Sequence, residues 1–520
     1  MRYPKSNDWI LNGLNLRINQ GECVALVGPS GCGKSTLAKS ILNLLPPGTY
    51  TDGKLFLCGE DPRKLTQRRL RRLRGESLGF VFQDPMTRLN PLMTVGGHLL
   101  DLLKAHHPKT NFSWQKQKAE QVLEKVGLNK NRFNAYPHEL SGGMRQRLAI
   151  AFAIAVKPPM VIADEPTTSL DMEVANKIMA ELTNLCREMG SSLLLISHDL
   201  ALAGHWCERM AILHQGRIIE ESPSKSLLRN PKSSIGKILV NASRSREGER
   251  TPEKAESNVV LEVSCLRSWH CLGGLPWINS QWLKAVDEVS FSVSYGETLG
   301  IIGSSGCGKS TLCRALMGLT SIRGGQVKLE GQSLLSLKGQ QLIKTRKLIQ
   351  MVFQDPLACL NPKMTIGEAI ADPLLIHKII DKRQAHECAC SLLTQVGLCP
   401  PEQFVSCLPR ELSGGQLQRV AIARAIALKP KVLICDESVS MLDAESQAAI
   451  LDLLKRLQKK LRLAILFVTH DLSIATGFCH KLIVLERGQI IEEGPGDELL
   501  LNSKTSVTQK LVNAFHRLPK

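Results

Sequence analysis

Two nearly identical glycine-rich segments constrain the fold of this chain more than any other feature. The first reads GPSGCGKST from Gly28 to Thr36, and the second reads GSSGCGKST from Gly303 to Thr311. Each follows a short apolar run and leads into a segment that is predicted to be helical. A GxxxxGK[ST] loop between a strand and a helix turns its backbone N–H groups toward an anion at the positive end of the helix. The chain is therefore predicted to hold two phosphate-bearing ligands.

The residue types in these loops predict a role for several positions. We expect Lys34 and Lys309 to reach the β- and γ-phosphates of a nucleotide, and Ser35 and Ser310 to ligate Mg²⁺. The glycines are needed because no side chain fits where the backbone meets a phosphate. The predicted nucleotide-binding residues of the loops are Gly28, Pro29, Ser30, Gly31, Cys32, Gly33, Lys34, Ser35 and Thr36, and Gly303, Ser304, Ser305, Gly306, Cys307, Gly308, Lys309, Ser310 and Thr311.

Other short motifs recur at nearly the same interval, so the chain is a duplication. The loops repeat after 275 positions and FQDP after 271, whereas ELSGG, the Asp-Glu pair and His-Asp-Leu each repeat after 272. A chain of 520 residues is also too long for one hydrophobic core. We predict a first domain at 1–240, a polar, irregular linker at 241–258, and a second domain at 259–520.

A pair of carboxylates follows a predicted buried strand in each half. MVIADE and VLICDE read as strands that lead into Asp164 and Glu165, and into Asp436 and Glu437. We expect the two aspartates to hold Mg²⁺. The two glutamates are expected to activate a water in line with the γ-phosphate, which favours a hydrolase over a kinase.

A histidine follows a second predicted strand in each half. LLLISHD and ILFVTHD carry His198 and His470, each followed by Asp-Leu. A single histidine is usually structural, but two at the same register indicate a function, and we expect them to contact the γ-phosphate or the transition state. The predicted catalytic residues are therefore Glu165, His198, Glu437 and His470.

LSGGMRQR at 140–147 and LSGGQLQR at 412–419 complete a set of motifs that resembles the ATP-binding cassette superfamily. The resemblance covers nearly the whole chain in two copies. It implies two tandem P-loop NTPase domains, each an α/β core with a parallel sheet, a small antiparallel β part and a helical subdomain at about 84–140 or 355–412. It also implies that Gln83 and Gln354 sense the γ-phosphate and contribute to the Mg²⁺ sites.

In that superfamily each signature serves the nucleotide of the opposite domain. The resemblance therefore implies that Ser413 closes over the ATP held by Lys34, and Ser141 over the ATP held by Lys309, in an internal pseudo-dimer. Each serine is expected to cap a helix whose N-terminal N–H groups face a phosphate. The predicted signature residues are Ser141, Gly142, Gly143, Ser413, Gly414 and Gly415.

The sequences QDPMTRLNPLMTVG and QDPLACLNPKMTIG, which begin at the two glutamines, resemble the peptide and nickel uptake branch of the superfamily. This finer resemblance implies an ATP-hydrolysing subunit bound peripherally at the cytoplasmic side of the bacterial inner membrane. The implied partners are two membrane permeases and a periplasmic or lipoprotein solute-binding protein. A dipeptide or oligopeptide is the expected cargo, with a chelated metal next.

Composition restricts the other classes of partner. The sequence contains no run of about 18 apolar residues and no leader, so we expect neither a membrane span nor export. Its sixteen cysteines form no CxxC pair and are expected to be reduced thiols. The net charge of +18 suits nucleic acid, an anionic membrane surface or nucleotides, but the aromatic content of 4% disfavours nucleic acid.

Three alternatives remain at the level of sequence. Soluble tandem cassettes that act on ribosomes would suit the basic charge, although they carry a long basic helical linker. A regulatory pair without hydrolysis is disfavoured by Glu165 and Glu437. An exporter of the same branch is distinguished by its permeases rather than by this chain.

The two halves differ in ways that predict unequal structures. Met1 corresponds to position 276, so the first half has no counterpart of the predicted strand VVLEVS at 259–264, and we expect its β part to be a strand short or the true start to lie upstream. Trp282 is the better candidate for stacking on adenine, and Trp9 the weaker one. The second half reads DESVSMLD where the first reads DEPTTSLD, and two competent sites are expected.

Overall fold

The computed structural model describes residues 1–4, 8–83, 88–168, 170–245, 258–271, 282–440 and 442–514. The chain splits into two compact units, with Met1–Arg244 in the first and Ser245–Phe515 as the second. Both are α/β domains, which confirms the predicted fold class. The predicted linker begins too early, because 241–245 are the end of a helix, and its residues 246–257 lie outside the described part of the chain.

The first unit contains six strands and nine helices among its described residues. In chain order they are β1 (Cys23–Val27), α1 (Lys34–Ile41), α2 (Gln67–Glu76), β2 (Leu78–Val81), α3 (Val95–His106), α4 (Phe112–Lys125), α5 (Gly142–Ile154), β3 (Met160–Asp164), α6 (Met172–Met189), β4 (Ser192–Ile196), α7 (Leu200–Trp206), β5 (Arg209–His214), β6 (Arg217–Pro223), α8 (Ser224–Arg229) and α9 (Ser234–Ser245).

The second unit repeats this order and adds an antiparallel sheet near its start. Its elements are β7 (Val259–Cys271), β8 (Trp282–Ser294), β9 (Thr298–Ile302), α10 (Lys309–Leu316), β10 (Gly324–Leu329), β11 (Gln332–Ser333), α11 (Gly339–Arg346), β12 (Ile349–Val352), α12 (Pro356–Cys359), α13 (Ile366–Ile376), α14 (Ala385–Gln395), α15 (Glu402–Val405), α16 (Gly414–Ile426), β13 (Val432–Asp436), α17 (Ala444–Leu461), β14 (Ala464–Val468), α18 (Leu472–Phe478), β15 (Lys481–Glu486), β16 (Gln489–Gly494), α19 (Gly496–Leu501) and α20 (Ser506–Asn513).

The main sheets have the same strand order, and that order brings the motifs together. The first is β2-β3-β4-β1-β5-β6 and the second is β12-β13-β14-β9-β15-β16, with every pair parallel except the last. In each sheet the strand before the Asp-Glu pair, the strand before the histidine and the strand before the glycine-rich loop are neighbours. Because carboxyl ends of parallel strands meet at one edge, all three motifs lie at the same edge.

The stretch between the glutamine and the signature is helical in each unit, as its 3.6-residue periodicity predicts. Ala119, Val122 and Leu123 lie on one buried face of α4, and Val126 follows at the end of that helix. Ala389, Leu393 and Val396 are buried in the same way on and just after α14. The buried stripes join the main cores, which fixes these helices to the sheets.

The antiparallel β part forms in the second unit and is missing from the described residues of the first. In the second unit its order is β11-β10-β7-β8, so β7 is the central strand that pairs with both neighbours. The described residues of the first unit include no counterpart of β7. Its segments 8–20 and 49–58 form no strand, and the bridges recorded there are the isolated pairs Arg2–Tyr50 and Leu57–Glu60. The prediction of one missing strand was therefore too small, because the flanking segments lose their pairing partner with it.

A cavity of about 1350 Å³ lies where β7 would be expected in the first unit. One wall carries Leu14, Leu16 and Ile18, whose side chains are half-buried while the intervening residues are exposed. This alternation is that of an edge strand without a neighbour. The facing wall includes 55–57, and Leu37 and Ile41 of α1 also line the cavity.

Helix α1 ends earlier than its apolar pattern predicts. The segment KSTLAKSILNLL at 34–45, which is followed by two prolines, is predicted from the sequence to be one helix, but α1 ends at Ile41 and Asn43 has φ of 51°. The N–H of Leu44 donates to the carbonyl of Lys39 at 2.8 Å. This bond is typical of an α-helix that ends with one residue in the left-handed conformation. Arg74 of the basic helix α2 also donates to the carbonyls of Leu42 and Asn43, both at 2.9 Å, so this arginine caps α1.

Candidate active site

The two glycine-rich loops curl tightly between strand and helix. Gly33 and Gly308, the residues before the lysines, have φ of 107° and 111°, values that favour glycine. A Cβ on Gly28 would lie 2.1 Å from the carbonyl oxygen of Leu213, and one on Gly308 would lie 2.0 Å from that of Ala285. Neither position accepts a side chain, because the clash is with backbone.

The loop lysines lie across the mouths of their own loops. Lys34 Nζ donates to the carbonyl oxygens of Gly28 and Pro29 at 2.7 and 2.9 Å. Lys309 Nζ makes the equivalent bonds to Gly303 and Ser304 at 2.8 and 3.0 Å. Both side chains are buried. A buried ammonium beside a row of backbone N–H groups, at the start of a helix, is a preformed environment for phosphate oxygens.

A serine and an aspartate meet beside each loop, as the sequence predicts for Mg²⁺. Ser35 Oγ donates to Asp164 Oδ1 at 3.1 Å, and Ser310 Oγ donates to Asp436 Oδ1 at 3.2 Å. Burial raises the pKa of both aspartates, opposed by the serine bonds and by the charges of Lys34 and Lys309. A buried carboxylate next to a hydroxyl is a set of hard oxygen ligands that fits Mg²⁺.

The residues around these oxygens do not form a cage of acidic or sulfur ligands. In the described part of the chain, no group of three or more His, Cys, Asp or Glu residues is placed to hold a metal. Mg²⁺ commonly keeps several waters and is held by one or two protein oxygens plus substrate phosphates. The serine–aspartate pairs match a site of that kind, in which most ligands come from water and the phosphates.

The glutamates after β3 and β13 are held in an unusual backbone conformation. Glu165 and Glu437 have φ of 48° and 46°, a left-handed conformation that few residues other than glycine adopt. Their N–H groups donate to the carbonyls of Ile196 and Val468 at 2.9 and 3.0 Å, which ties each turn to the neighbouring strand. Strained residues of this kind cluster at functional sites.

Each glutamate pairs with the predicted histidine. Nδ1 of His198 lies 3.3 Å from Oε1 of Glu165, and Nδ1 of His470 lies 3.6 Å from Oε1 of Glu437. Burial alone would raise the pKa of each glutamate, but the histidine's hydrogen bond and charge, with the loop lysine, hold it below its ordinary value. Burial likewise opposes protonation of each histidine, and the glutamate raises its pKa nevertheless.

The predicted glutamines contact the glutamates rather than the serine–aspartate pairs. Gln83 Nε2 donates to Glu165 Oε2 at 2.8 Å, and Gln354 Nε2 donates to Glu437 Oε2 at the same distance. Both glutamines are exposed. Their assignment to the metal site thus stays a prediction, and in this structure they act as hydrogen-bond donors to the candidate general bases.

One contact to a candidate base was not predicted from the sequence. Thr168 Oγ1 donates to Glu165 Oε2 at 3.0 Å, so it shares that oxygen with Gln83. In the second site the corresponding Ser440 donates instead to the backbone carbonyl of Glu437 at 2.9 Å. The difference between DEPTT and DESVS was visible in the sequence, but the direction of a hydroxyl was not.

The signature serines cap helices on the surface of each unit. Ser141 Oγ accepts from the N–H of Met144, and Ser413 Oγ accepts from that of Gln416, both at 3.4 Å. Ser141 and Ser413 are exposed, as are the first helical glycines, Gly142 and Gly414, and Gly143 and Gly415 are half-buried. These helices, α5 and α16, therefore present capped N-termini to the exterior of their own unit.

The two tryptophans considered for adenine have different surroundings. Trp282 has the guanidinium of Arg323 4.1 Å from its ring centroid and is 41% exposed. Trp9 meets Tyr50 edge-on, with ring centroids 5.7 Å apart, and lines the cavity of the first unit. An adenine-stacking role for either tryptophan stays a prediction.

Comparison with known proteins agrees with this geometry. The pattern of the family described as "ABC transporter" matches residues 11–168 and 286–440. The "Peptidoglycan transport ATP-binding protein YejF" of Agrobacterium fabrum is 38% identical over 95% of this chain and 90% of its own length. The "Glutathione import ATP-binding protein GsiA" of Pectobacterium atrosepticum is 35% identical over 97% of this chain and 86% of its own.

The chain belongs to the ABC transporter family, with two ATP-binding cassettes in one polypeptide. A third relative, "Uncharacterized ABC transporter ATP-binding protein YejF" of Escherichia coli, is 37% identical over 98% of this chain and 97% of its own length. The chain is an ABC-type ATPase that binds ATP, as the motifs predict. Among the described residues, none of the helices has the length and apolar character needed to cross a bilayer.

Proposed function

We propose that this chain energises the uptake of small peptides through two membrane permeases, to which a solute-binding protein delivers the cargo. The observation that carries the proposal is similarity across nearly the whole chain to proteins named for peptidoglycan transport and glutathione import. Both names refer to compounds that contain short peptides. A dipeptide or oligopeptide is accordingly the proposed cargo, and the chain binds peripherally at the cytoplasmic side of the inner membrane.

Within each cassette we assign the proposed roles of the residues from the contacts described above. The loops that contain Lys34 and Lys309 bind the triphosphate, and Ser35 with Asp164, or Ser310 with Asp436, holds Mg²⁺. When bound, Mg²⁺ neutralises charge on the phosphates. Glu165 and Glu437 accept the proton of the attacking water, and the paired histidines keep the glutamates ionised and oriented.

We further propose that each ATP is completed by the opposite cassette. The support is that Ser141 and Ser413 stand at exposed helix N-termini, where backbone N–H groups and the helix dipole favour an anion. Two bound ATP molecules would favour a closed pair, and loss of the γ-phosphate would release it. Closure and release would then drive the permeases.

The proposal is tested by removing both candidate bases. Glu165→Gln combined with Glu437→Gln should abolish ATP hydrolysis by the purified chain and leave ATP binding intact. In the native host, deletion of the gene should stop uptake of radiolabelled trialanine, the wild-type gene should restore it, and the double variant should not. Unchanged hydrolysis in the double variant would defeat the assignment of the bases, and normal peptide uptake in the deletion strain would defeat the assignment of the cargo.

Binding to ribosomes is the outcome that would favour the alternative function, a soluble cassette pair that acts on ribosomes. A ribosome-directed cassette pair should sediment with ribosomes in the presence of ATP when both glutamates are replaced. An importer subunit should instead sediment with membranes that contain its permeases. The same double variant and the same gradient therefore separate the two functions.

A further inference from the structure

The candidate bases of the two ATP sites differ by one hydrogen bond. Oε2 of Glu165 accepts two side-chain donors, Gln83 Nε2 at 2.8 Å and Thr168 Oγ1 at 3.0 Å. Among the described residues, Oε2 of Glu437 accepts one side-chain donor, Gln354 Nε2, at 2.8 Å. The hydroxyl of Ser440, at the position of Thr168, is turned to the carbonyl oxygen of Glu437.

The backbone does not explain this difference, because the two turns are the same. The N–H of Thr168 lies 3.3 Å from the carbonyl of Glu165, and that of Ser440 lies 3.2 Å from the carbonyl of Glu437. The side chains differ in branching. A threonine carries a methyl group on Cβ and is restricted at χ1, whereas a serine hydroxyl rotates between acceptors at little cost. The methyl group of Thr168 therefore favours one direction for its hydroxyl.

The hydrogen bond from Thr168 affects the orientation of Glu165 because the glutamine that each site has in common can leave its glutamate. Gln83 and Gln354 are exposed, and each has a second predicted partner in the nucleotide's metal ion. Whenever Gln83 leaves Glu165, Thr168 still holds Oε2 while His198 faces Oε1. Whenever Gln354 leaves Glu437, His470 remains at 3.6 Å from the other oxygen. The first carboxylate then keeps a partner on both oxygens, and the second keeps one.

We infer that Thr168 is a positioning residue for Glu165, and that the first ATP site consequently hydrolyses faster than the second. The inference rests on the proposed role of Glu165 as the general base. A base is effective when its acceptor oxygen is already aimed at the water, because misorientation of a catalytic group costs rate without a change in substrate affinity. One hydrogen bond from a hydroxyl to a carboxylate corresponds to a change in rate of about tenfold or more, because bonds to charged groups are stronger than bonds between neutral ones.

The experiment uses four single variants of the full chain, with kcat and KM for ATP measured in excess Mg²⁺. Thr168→Val keeps the shape of the side chain but removes the donor, and it should lower kcat about threefold or more with KM unchanged. Thr168→Ser should lower kcat in the same direction, because its hydroxyl is free to turn to the backbone. Ser440→Thr should raise kcat, since it gives Glu437 the bond that Glu165 has. Ser440→Ala should stay within about twofold of wild type.

Two further measurements separate positioning from folding. ATP affinity measured by equilibrium dialysis in EDTA, and the thermal unfolding midpoint, should match wild type in all four variants. The gain expected for Ser440→Thr also has no explanation in a damaged fold. The inference is overturned if Thr168→Val retains kcat within twofold of wild type, if kcat falls only together with EDTA-state affinity, or if Ser440→Thr leaves kcat unchanged.

Glu165→Gln, measured beside these variants, separates failure of the proposed base from failure of the positioning role. If it leaves turnover unchanged, the proposed base is wrong and the role of Thr168 falls with it. If it reduces turnover strongly while Thr168→Val has no effect, only the positioning role is wrong. A strong effect of both, with KM unchanged for Thr168→Val, supports both.

Discussion

His198 and Glu165 form an ion pair, with Nδ1 and Oε1 3.3 Å apart, across the ends of two adjacent parallel strands. The glutamate follows β3 and the histidine lies two residues after β4, so the sheet itself sets their separation. The arrangement is repeated by His470 and Glu437 after β13 and β14. The candidate base of each site is thus held by the same rigid element that holds the phosphate loop.

The pair predicts a pH-dependent stability. The pKa of Glu165 is lowered and that of His198 is raised, so the pair contributes fully between their ordinary values of 4.5 and 6.5. The contribution is lost as pH rises through the folded pKa of His198, and as pH falls through the folded pKa of Glu165. Replacing His198 with Ala should lower the free energy of unfolding by about 1 kcal/mol in that pH window, a small amount because the two side chains are partly exposed. Outside the window the loss should be smaller, because one of the two groups is then uncharged.

Urea unfolding of wild type and His198→Ala at a series of pH values checks this expectation. The difference in the free energy of unfolding should be largest near pH 5 to 6 and should shrink toward pH 8 and pH 3. The second site offers a matched comparison in His470→Ala, which should show the same window. A difference that stays constant over the whole pH range would mean that packing, and not the ion pair, is what the histidine supplies.

Loss of one loop lysine should affect both ATP sites. Lys34→Ala removes the buried ammonium that bridges Gly28 and Pro29, and it should reduce bound ATP from two to one per chain in equilibrium dialysis. If each ATP is completed by the opposite cassette, hydrolysis by the intact second loop should fall at least about tenfold as well. Lys64→Ala, an exposed lysine outside the loops, is the control. If the second site instead keeps its full rate in Lys34→Ala, which is less than half of the wild-type turnover when the first site is the faster, the cassettes act independently.

The fold and the polar residues of the site were largely predictable because the sequence repeats its motifs after buried strands. Parallel strands that end in a loop, an Asp-Glu pair and a histidine must bring these groups to one edge. The details that were not predictable depend on rotation about single backbone or side-chain bonds. The left-handed conformation of Glu165, the bond from Gln83 to it and the direction of the Thr168 hydroxyl leave no periodicity in the sequence.

Two errors in the predicted elements have causes that the sequence of the element itself does not show. The helix predicted at 34–45 ends early because Asn43 adopts a left-handed conformation that terminates it, and Arg74, 31 positions further along the chain, donates to the carbonyl of Asn43. The β part of the first unit was expected to be a strand short or the true start to lie upstream, and among the described residues its two neighbouring segments form no strand either. Pairing with a central strand is a cooperative property that the sequence of an outer strand does not reveal.

An ion pair present in the first unit predicts a second pH effect. Glu22 accepts from Arg209 Nε at 2.6 Å and from Nη2 at 2.9 Å, and these bonds hold the pKa of Glu22 below its ordinary value. A lowered carboxyl pKa gives stability that is present above pH 4.5 and is lost as pH falls through the folded pKa. Glu22→Gln should therefore cost about 1–2 kcal/mol at pH 7 and little at pH 3.

Glu297 is the matched control, because it has the same turn but a different partner residue. It accepts from the N–H of Ser294 at 2.7 Å, as Glu22 does from Asn19, but the position of Arg209 is occupied by Lys481, which pairs with Glu493. Glu297→Gln should cost less than Glu22→Gln at pH 7 in chemical denaturation. An equal cost for both would assign the effect to the turn instead of to Arg209.

The cavity of the first unit predicts that an added strand will stabilise it. A copy of residues 258–275 placed directly in front of Met1 keeps the register of the duplication, since Met1 corresponds to position 276. In the second unit this segment contributes Val260, Val263 and Leu266, all buried. Each apolar side chain that enters the cavity contributes about 1.5–3 kcal/mol, and a strand placed there would also form backbone hydrogen bonds with the segments on either side.

The expected result is a rise of about 5 °C or more in the unfolding midpoint, with slowed amide exchange in 14–18 and 55–57 as the unpaired segments gain a neighbour. A graft of the same length with serine in place of Val260, Val263 and Leu266 keeps the backbone hydrogen bonds but not the burial. It should give less than half of the gain. If both grafts raise the midpoint equally, backbone pairing supplies the stability and the apolar cavity does not. If neither does, the walls of the cavity are not strand edges.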